Sequence, residues 1–210
     1  MNEELAICSA SNRLYGPDRR VFDAWDWTWS DGPASTGPLR TIDPLGALAH
    51  LATTGRRRMI PVGVVGPRNA TPEQTAIAEA LGAALAAHGL SILCGGKSGV
   101  MEAVARGCTE NDGFCLAFLP EDDWRAANDF ISLPLATGIG KARNVLIAQA
   151  SCALIAVGGE YGTLSEIAFG LHFDKPVFGL CDAPDVPGVQ RCHSVAEVMD
   201  RLARALLSLS

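Results

Sequence analysis

The most distinctive chemical feature of the chain is a glycine-rich turn near residue 160. It runs from Gly158 to Thr163, follows the apolar stretch 153–157 and precedes a helical pattern. Glycines at the start of a helix let backbone N–H groups approach a phosphate, and the helix dipole favours the anion. Alternatively, the spacing Thr163-x-x-Glu166 is that of a capping box, a purely structural signature, but capping does not require the glycines. We therefore predict phosphate contacts from Gly158, Gly159, Tyr161, Gly162 and Thr163.

A second glycine-rich turn, Gly95 to Gly99, follows the apolar stretch 90–94. Its Gly-Lys-Ser suggests a Walker A loop, but that motif requires a glycine where the chain has Ser91. A plain strand-to-helix turn and a second ligand-facing loop both fit the segment. The first strand is not followed by the GxGxxG fingerprint of NAD-binding proteins. Further predicted ligand contacts, here and at the end of the first strand, are Gly95, Gly96, Ser98, Gly99, Met101 and Gly66.

A third glycine-rich segment, from Thr137 to Asn144, also leads into a helix. We predict ligand contacts from Thr137 and Gly138. Arg143 carries a planar guanidinium that can hold a phosphate or a carboxylate through two parallel hydrogen bonds. The alternative is that Arg143 is an exposed arginine at the start of a helix.

Apolar strands alternate with helices from residue 60 onward, and this order predicts the elements that position the three turns. Strands are predicted near 60–65, 90–94, 114–119, 153–157 and 177–180. Helices are predicted near 71–88, 100–106, 144–150, 163–172 and 195–207, the first with Thr71 and Gln74 as a capping box. Such a pattern forms a parallel sheet covered on both faces, here a Rossmann-like doubly wound α/β domain over residues 59–210. Ligands bind beyond the carboxyl ends of such strands, where the turns fall.

Residues 1–58 are predicted to form a small N-terminal extension. Trp25, Trp27 and Trp29 alternate with polar residues, which predicts a strand with one aromatic face. The stretch 5–9 is a candidate partner strand, and a short helix is predicted from Asp43 to Ala52. The extension either packs its tryptophans on the main domain or serves as a lid or an oligomer contact.

Composition argues against several classes of function. No apolar run approaches the ~18–20 residues of a membrane span, and the acidic start at 1–4 lacks the features of a signal peptide. We therefore expect a cytoplasmic protein with no membrane partner. The net charge of −6 and the absence of a basic stripe argue against a nucleic-acid partner. Seven cysteines without a CxxC pair, and four scattered histidines, predict neither disulfides nor a metal site. Alanine- and leucine-rich helices at 76–87 and 144–150 predict a homo-oligomer, at least a dimer.

Several of these segments occur in the order found in one superfamily. The chain has Leu-Pro-Glu-Asp-Asp at 119–123, Ala-Asn at 127–128, Thr-Gly-Ile-Gly at 137–140, Ala-Arg-Asn at 142–144 and the turn at 158–166. With these motifs, residues 60–205 resemble the Lonely Guy (LOG)-like superfamily, long labelled possible lysine decarboxylases. The segment from Gly95 to Ala103 is similar to the branch that includes molybdenum-cofactor carrier proteins.

The resemblance implies a Rossmann-like homo-oligomer that binds a small phosphate ligand, either a nucleoside 5′-monophosphate or a pterin phosphate. In the phosphoribohydrolases of the superfamily the turn reads Pro-Gly-Gly-x-Gly-Thr-x-x-Glu, with an arginine upstream. Those catalytic positions fall on Glu166 and Arg143. This chain departs from the motif at Gly158, in place of the proline, and at Glu160, in place of the second glycine.

The first functional hypothesis is a nucleotide 5′-monophosphate phosphoribohydrolase, which releases a free base and ribose 5-phosphate. Its transition state resembles a ribosyl cation, which Glu166 would stabilise while activating water, and Arg143 would hold the phosphate. The alternative is a non-catalytic carrier of the molybdenum cofactor or a nucleotide sensor. No resident cofactor is predicted. Lysine decarboxylation is not expected, because no lysine shows further signs of a pyridoxal-phosphate site.

Overall fold

The computed structural model describes residues 4–209, so the acidic start at 1–3 lies outside the described residues. The described chain forms two compact units. One comprises the residues up to Met59 together with those from Asp200 onward, and the other is Ile60–Met199.

The first unit contains an antiparallel five-stranded sheet. Its strands are β1 (Leu5–Cys8), β2 (Leu14–Tyr15), β3 (Val21–Asp23), β4 (Thr28–Ser30) and β5 (Leu39–Ile42), in the order β4-β3-β2-β1-β5. Helix α1 (Pro44–Thr53) follows, and the Asp43 side chain caps it by accepting a hydrogen bond from the Gly46 N–H. The helix therefore begins where the sequence predicts it.

The tryptophan-rich segment is a hairpin and not the single strand that its alternation predicts. Trp25 and Trp27 lie in the turn between β3 and β4, where Trp27 has a φ of 52°. Only Trp29 lies in a strand, and the Phe22 ring packs edge-on against Trp27 and Trp29. Strand β1 belongs to the same sheet but pairs with β2 and β5, not with β4. The alternation misleads because the chain reverses direction within it.

Seven parallel strands form the sheet of the second unit. They are β6 (Pro61–Val65), β7 (Ser91–Cys94), β8 (Cys115–Leu119), β9 (Leu133–Ala136), β10 (Ala153–Val157), β11 (Val177–Leu180) and β12 (Gln190–Arg191). Their order is β12-β11-β10-β6-β7-β8-β9. Strand β6 comes first along the chain yet lies between β10 and β7. The order of strands therefore reverses between β6 and β10, and such a switch point is where doubly wound sheets bind ligands.

Helices flank this sheet. They are α2 (Pro72–Ala87), α3 (Val100–Thr109), α4 (Asn144–Ala150) and α5 (Tyr161–His172). The last helix, α6 (Val195–Leu206), begins in this unit, and its residues from Asp200 onward belong to the first unit. Helix α2 begins with the predicted capping box, since the Thr71 hydroxyl accepts from the Gln74 N–H and the Gln74 side chain accepts from the Thr71 N–H. Side chains of the central strands, such as Val62, Ile92 and Leu154, are fully buried. Strands apolar along their whole length are what a parallel sheet between helices requires.

The predicted α/β class and its parallel sheet are confirmed, and all five predicted strands are present. Two edge strands escaped prediction. Strand β9 contains Pro134, which interrupts a strand pattern, and β12 consists of two exposed residues. The alternative interpretation of Thr163 and Glu166 as a capping box is wrong, because α5 begins at Tyr161 and has Glu160 as its N-cap, with no side-chain capping bond.

Among residues 4–209, no helix combines the length and the apolar character needed to cross a membrane.

Candidate functional site

A cavity of about 590 Å³ lies at the switch point of the parallel sheet. The segments that follow β6, β8 and β10 contribute to its wall, together with the starts of α3 and α4. Seven of the residues predicted as site residues line it: Gly66, Met101, Arg143, Tyr161, Gly162, Thr163 and Glu166.

The start of α5 presents three backbone donors to this cavity. The first backbone bond of the helix runs from the Leu164 N–H to the Glu160 carbonyl. The N–H groups of Tyr161, Gly162 and Thr163 therefore have no intrahelical acceptor, and no side chain caps them. A Cβ added at Gly162 would meet no atom within 4 Å, so the space beside this residue is open. This helix start is suited to binding an anion.

Glycines shape the turn that leads into α5. Gly158 and Gly159 have φ values of 60° and 144°, which residues with a side chain rarely adopt. The Gly158 N–H donates to the Leu180 carbonyl, and a Cβ at Gly159 would lie 2.6 Å from the Thr163 side chain. Neither glycine lines the cavity. The two residues direct the chain so that the α5 donors face the cavity.

Arg143 and Glu166 form a buried ion pair in the cavity wall. Arg143 Nη1 lies 3.3 Å from Glu166 Oε1, and the two side chains are 7% and 8% exposed. Arg143 also donates to the Asn144 side chain and to the Gly95 carbonyl. Its Nε is buried and has no hydrogen-bond partner within the described residues. The guanidinium thus carries one buried donor that the protein itself does not satisfy.

Burial governs the ionisation of this pair. It raises the pKa of Glu166 to about 7, against the opposing attraction of Arg143. Burial also lowers the pKa of Arg143, although Glu166 acts in the opposite direction. Both groups are thus shifted toward their neutral forms, because the cost of removing two charges from water exceeds their mutual attraction. Glu166 can exchange a proton near neutral pH.

Exposed charged residues complete the wall of the cavity. Arg68 and Lys141 are exposed there, and neither forms an ion pair in the described part of the chain. The exposed Glu160 lines the same cavity, also without an ion pair among residues 4–209. With Arg143, three basic side chains thus face two carboxylates, those of Glu160 and Glu166. This balance favours an anionic ligand, and Glu160 opposes it.

The turn at 95–99 lies outside the cavity wall, and its residues contact the protein itself. A Cβ at Gly95 would lie 2.3 Å from Arg143 Nη2, and one at Gly99 would lie 2.4 Å from the Arg68 carbonyl oxygen. The Gly96 N–H donates to Cys94 Sγ, and the Ser98 hydroxyl to the Arg68 carbonyl. The turn therefore makes room for Arg143 and lets the loop carrying Arg68 approach.

Thr137 and Gly138 likewise lie outside the cavity wall. The Thr137 hydroxyl donates to the Leu119 carbonyl at 2.6 Å, and the Gly138 N–H donates to the Glu121 carbonyl. The segment is thereby tied to the loop after β8, whose Pro120 does line the cavity. The segment containing Thr137 and Gly138 therefore affects the site by holding this loop in place.

Eight lining residues were not among the predicted site residues: Pro67, Arg68, Asn69, Pro120, Lys141, Asn144, Glu160 and Ser165. The three at 67–69 directly follow β6, so the rule that ligands bind at carboxyl ends of parallel strands would have found them. Lys141 and Asn144 lie in the same segment as Arg143. Asn144 donates to the Ser165 hydroxyl and so links α4 to α5 beside the ion pair.

A second cavity, of about 650 Å³, lies beyond β11 and β12 in the same unit. It contains none of the predicted site residues, and its Arg191 is paired with Asp185. The smaller cavity is the candidate functional site, because of these two cavities it is the one where free helix N–H groups and a buried, incompletely satisfied arginine converge. In residues 4–209 no cluster of three histidine, cysteine or acidic side chains has the geometry to hold a metal ion.

Comparison with known proteins agrees with this fold. An uncharacterized protein of Archaeoglobus fulgidus is 42% identical over 143 residues, which cover 68% of this chain and 94% of that protein. The molybdenum cofactor binding protein of Rippkaea orientalis is 31% identical with a TM-score of 0.66, covering 70% of this chain and 97% of that one.

The molybdenum cofactor carrier protein of Chlamydomonas reinhardtii is also 31% identical, with a TM-score of 0.65 over 71% of this chain and 99% of its own. DNA processing protein A of Streptococcus pneumoniae shares the fold at 18% identity and a TM-score of 0.55. The model of the SLOG cluster4 family matches residues 59–203, which is most of the chain. The expected kinship with LOG-like proteins is thus confirmed, and the chain belongs to the SLOG cluster4 family.

Proposed function

We propose that this protein binds and carries a small molecule held by its phosphate, with a pterin phosphate of the molybdenum-cofactor type as cargo. The observation that carries the proposal is the uncapped start of α5, where the N–H groups of Tyr161, Gly162 and Thr163 open into the cavity. Three N–H groups and the helix dipole favour a phosphate there. Arg68 and Lys141 add positive charge at the same cavity.

The Arg143–Glu166 pair favours binding over catalysis. A phosphoribohydrolase needs a carboxylate that meets the sugar and an arginine that meets the phosphate. Here the two side chains are bound to each other at 3.3 Å and are nearly buried. The similarity to two molybdenum-cofactor proteins over about 70% of the chain supports the same choice.

Phosphoribohydrolase activity is the second candidate, and the pKa of Glu166 favours it. Burial raises that pKa to about 7, and a general acid–base group works best when its pKa is near the working pH. In this reaction Glu166 would take the proton of the attacking water while its charge stabilises the ribosyl cation. Arg143 would have to release Glu166 in order to hold the phosphate.

We further propose that the protein acts as a homodimer in the cytoplasm. Helix α2 buries Ala78, Leu81 and Leu85, so it no longer offers the apolar surface that the sequence suggested. Helices α4 and α5 instead pack together and leave large apolar side chains exposed: Leu146, Leu164 and Phe169.

Seven free thiols are in keeping with a reducing compartment. We propose a small molecule as the binding partner, and no role for nucleic acid.

Two measurements on one preparation test the function. The purified protein is denatured, and the released small molecules are analysed for pterin by fluorescence after oxidation and for molybdenum by mass spectrometry. The same protein is incubated with nucleoside 5′-monophosphates, and free base is followed by chromatography. Near-stoichiometric pterin and molybdenum without base release supports the carrier. Base release without pterin transfers the assignment to the hydrolase. If neither pterin with molybdenum nor free base is detected, both candidate functions are overturned.

A further inference from the structure

Tyr161 is the most exposed large hydrophobic side chain of the second unit, at 90% exposure, and it lines the cavity. It makes no hydrogen bond and no ring contact in the described part of the chain. Two other exposed aromatic residues differ in this respect. Trp124 has the Arg125 guanidinium over its ring at 5.1 Å, and Phe169 stacks on Phe173 with centroids 6.2 Å apart.

The place of Tyr161 in the helix sets what its ring can reach. Tyr161 is the first residue of α5, so its own N–H is one of the three free donors. A phosphate bound by these donors therefore sits beside the backbone that carries the ring. No other aromatic residue lines this cavity in the described chain. A ligand that joins a phosphate to a flat heterocycle would bring that heterocycle within reach of Tyr161.

We infer that Tyr161 is the surface on which the planar heteroaromatic ring of the ligand stacks, while the start of α5 holds the phosphate. The inference rests on the phosphate-binding function proposed above and names the second recognition element of the ligand. Aromatic rings gain from offset stacking on flat π systems, and the face of every base or pterin offers one. Stacking needs the ring of Tyr161 and not its hydroxyl.

The test compares two probes that share a phosphate and differ in the ring. Guanosine 5′-monophosphate and ribose 5-phosphate are titrated into wild type, Tyr161→Ala and Tyr161→Phe by calorimetry, with free base followed in parallel. We expect Tyr161→Ala to weaken guanosine 5′-monophosphate binding about tenfold and to leave ribose 5-phosphate unchanged. Tyr161→Phe should bind both probes as wild type does.

Each other outcome has one meaning. If ribose 5-phosphate binds but Tyr161→Ala changes neither probe, or weakens both equally, the stacking role is overturned while phosphate binding stands. If neither probe binds wild type, the proposed phosphate site itself fails. If light scattering shows that Tyr161→Ala changes the oligomeric state, Tyr161 belongs to a subunit interface, and the stacking role is likewise overturned.

Discussion

Arg143 Nη1 lies 3.3 Å from Oε1 of Glu166, in a pair that is almost entirely withdrawn from solvent. In the phosphoribohydrolase motif these two positions act on different parts of a substrate. Here the two side chains pair with each other. Burial raises the pKa of Glu166 and lowers the pKa of Arg143, and both shifts favour the uncharged form. The pair therefore has a consequence for stability as well as for function.

Glu166→Gln should change how stability depends on pH. The pKa of Glu166 rises from an ordinary 4.5 to about 7 in the folded chain, so the folded state holds this proton more tightly than the unfolded state. Wild type should then lose stability as pH rises from about 4.5 to 7, by about 3 kcal/mol at 1.36 kcal/mol per pKa unit. The glutamine variant lacks this loss.

Urea unfolding at pH 5 and pH 8 measures the effect. The stability of Glu166→Gln relative to wild type should increase by about 2.5 kcal/mol between the two values, since part of the loss has already occurred at pH 5. Other titrating groups are common to both proteins, so they cancel in the difference. A constant difference across this range would show that Glu166 is already ionised at pH 5, with its pKa dominated by Arg143.

A carboxylate at position 162 should abolish phosphate binding without unfolding the protein. Gly162 is at the second position of α5 and faces open space, so Gly162→Asp meets no clash. An acidic residue in the first turn of a helix also interacts favourably with the helix dipole, which stabilises the folded protein. Its repulsion of a phosphate about 4 Å away is about 4 kcal/mol at an effective dielectric near 20.

Gly162→Asn is the matched control, since it has the same size without the charge. We expect guanosine 5′-monophosphate to bind Gly162→Asp at least about 30-fold more weakly than Gly162→Asn, and both to melt within a few degrees of wild type. Equal affinities of the two variants would place the phosphate away from the start of α5.

Local patterns were enough to predict the central sheet and the turn before α5. Strands such as 153–157 are apolar runs ended by glycine, and these features act over a few residues. The carboxyl-end rule points to residues 67–69 as ligand-facing, but that they share a cavity with the start of α5 depends on β6 lying beside β10, which only the strand order reveals. Strand order depends on pairing between distant segments, which no local pattern encodes.

The ion pair could not be predicted for a similar reason. Arg143 and Glu166 are 23 positions apart. Taken locally, Arg143 is interpretable as an exposed arginine at a helix start, and Glu166 as part of a capping box. The glycines at 95 and 99 gave a correct signal of a special backbone but not its cause. Gly95 makes room for the Arg143 guanidinium, and that arginine comes from a distant segment. A glycine-rich turn thus indicates close approach, whereas the approaching partner requires the structure.

Placing the proline of the phosphoribohydrolase motif at position 158 should damage this protein. Gly158 has a φ of 60°, whereas proline is confined near −65°, and proline would also remove the N–H that donates to the Leu180 carbonyl. We expect Gly158→Pro to lower Tm by about 10 °C and to lose guanosine 5′-monophosphate binding. Gly158→Ala keeps the N–H and should lose less. A proline variant as stable as wild type would mean that the turn readily adopts another backbone.

A charge on the exposed face of α5 should dissociate the proposed dimer. Phe169 and Leu164 are exposed on α5, and Leu146 is exposed on α4, which packs against α5. Burying an introduced carboxylate in such an interface is costly, so Phe169→Glu should be monomeric by light scattering at micromolar concentration. Ala80→Glu, at an exposed position of α2, is the control and should remain dimeric. A monomeric wild type, or dissociation by the control alone, would contradict the assignment.

Glu160 is the residue at which this chain departs most from a phosphate-binding motif, and its removal should not harm phosphate binding. It is the N-cap of α5 and lines the cavity, but its side chain neither caps the helix nor pairs with a cation within residues 4–209. Arg143 does not pair with Glu160 in the described chain, since it pairs with Glu166.

Coulomb repulsion between a carboxylate and a phosphate about 4 Å apart is about 1 kcal/mol in water and about 4 kcal/mol at an effective dielectric near 20. The helix terminus contributes only about 0.3–2 kcal/mol, so a Glu160 side chain turned to the ligand would cancel it. Exposure lets the side chain turn to solvent. Glu160→Gly and Glu160→Gln should therefore bind guanosine 5′-monophosphate as tightly as wild type or a few-fold more tightly, with the gain shrinking as salt is raised. A large loss of affinity in both variants would make Glu160 a direct ligand contact, for example to a ribose hydroxyl or a pterin ring. If only Glu160→Gly loses affinity for guanosine 5′-monophosphate, the side chain serves to hold the conformation of the turn.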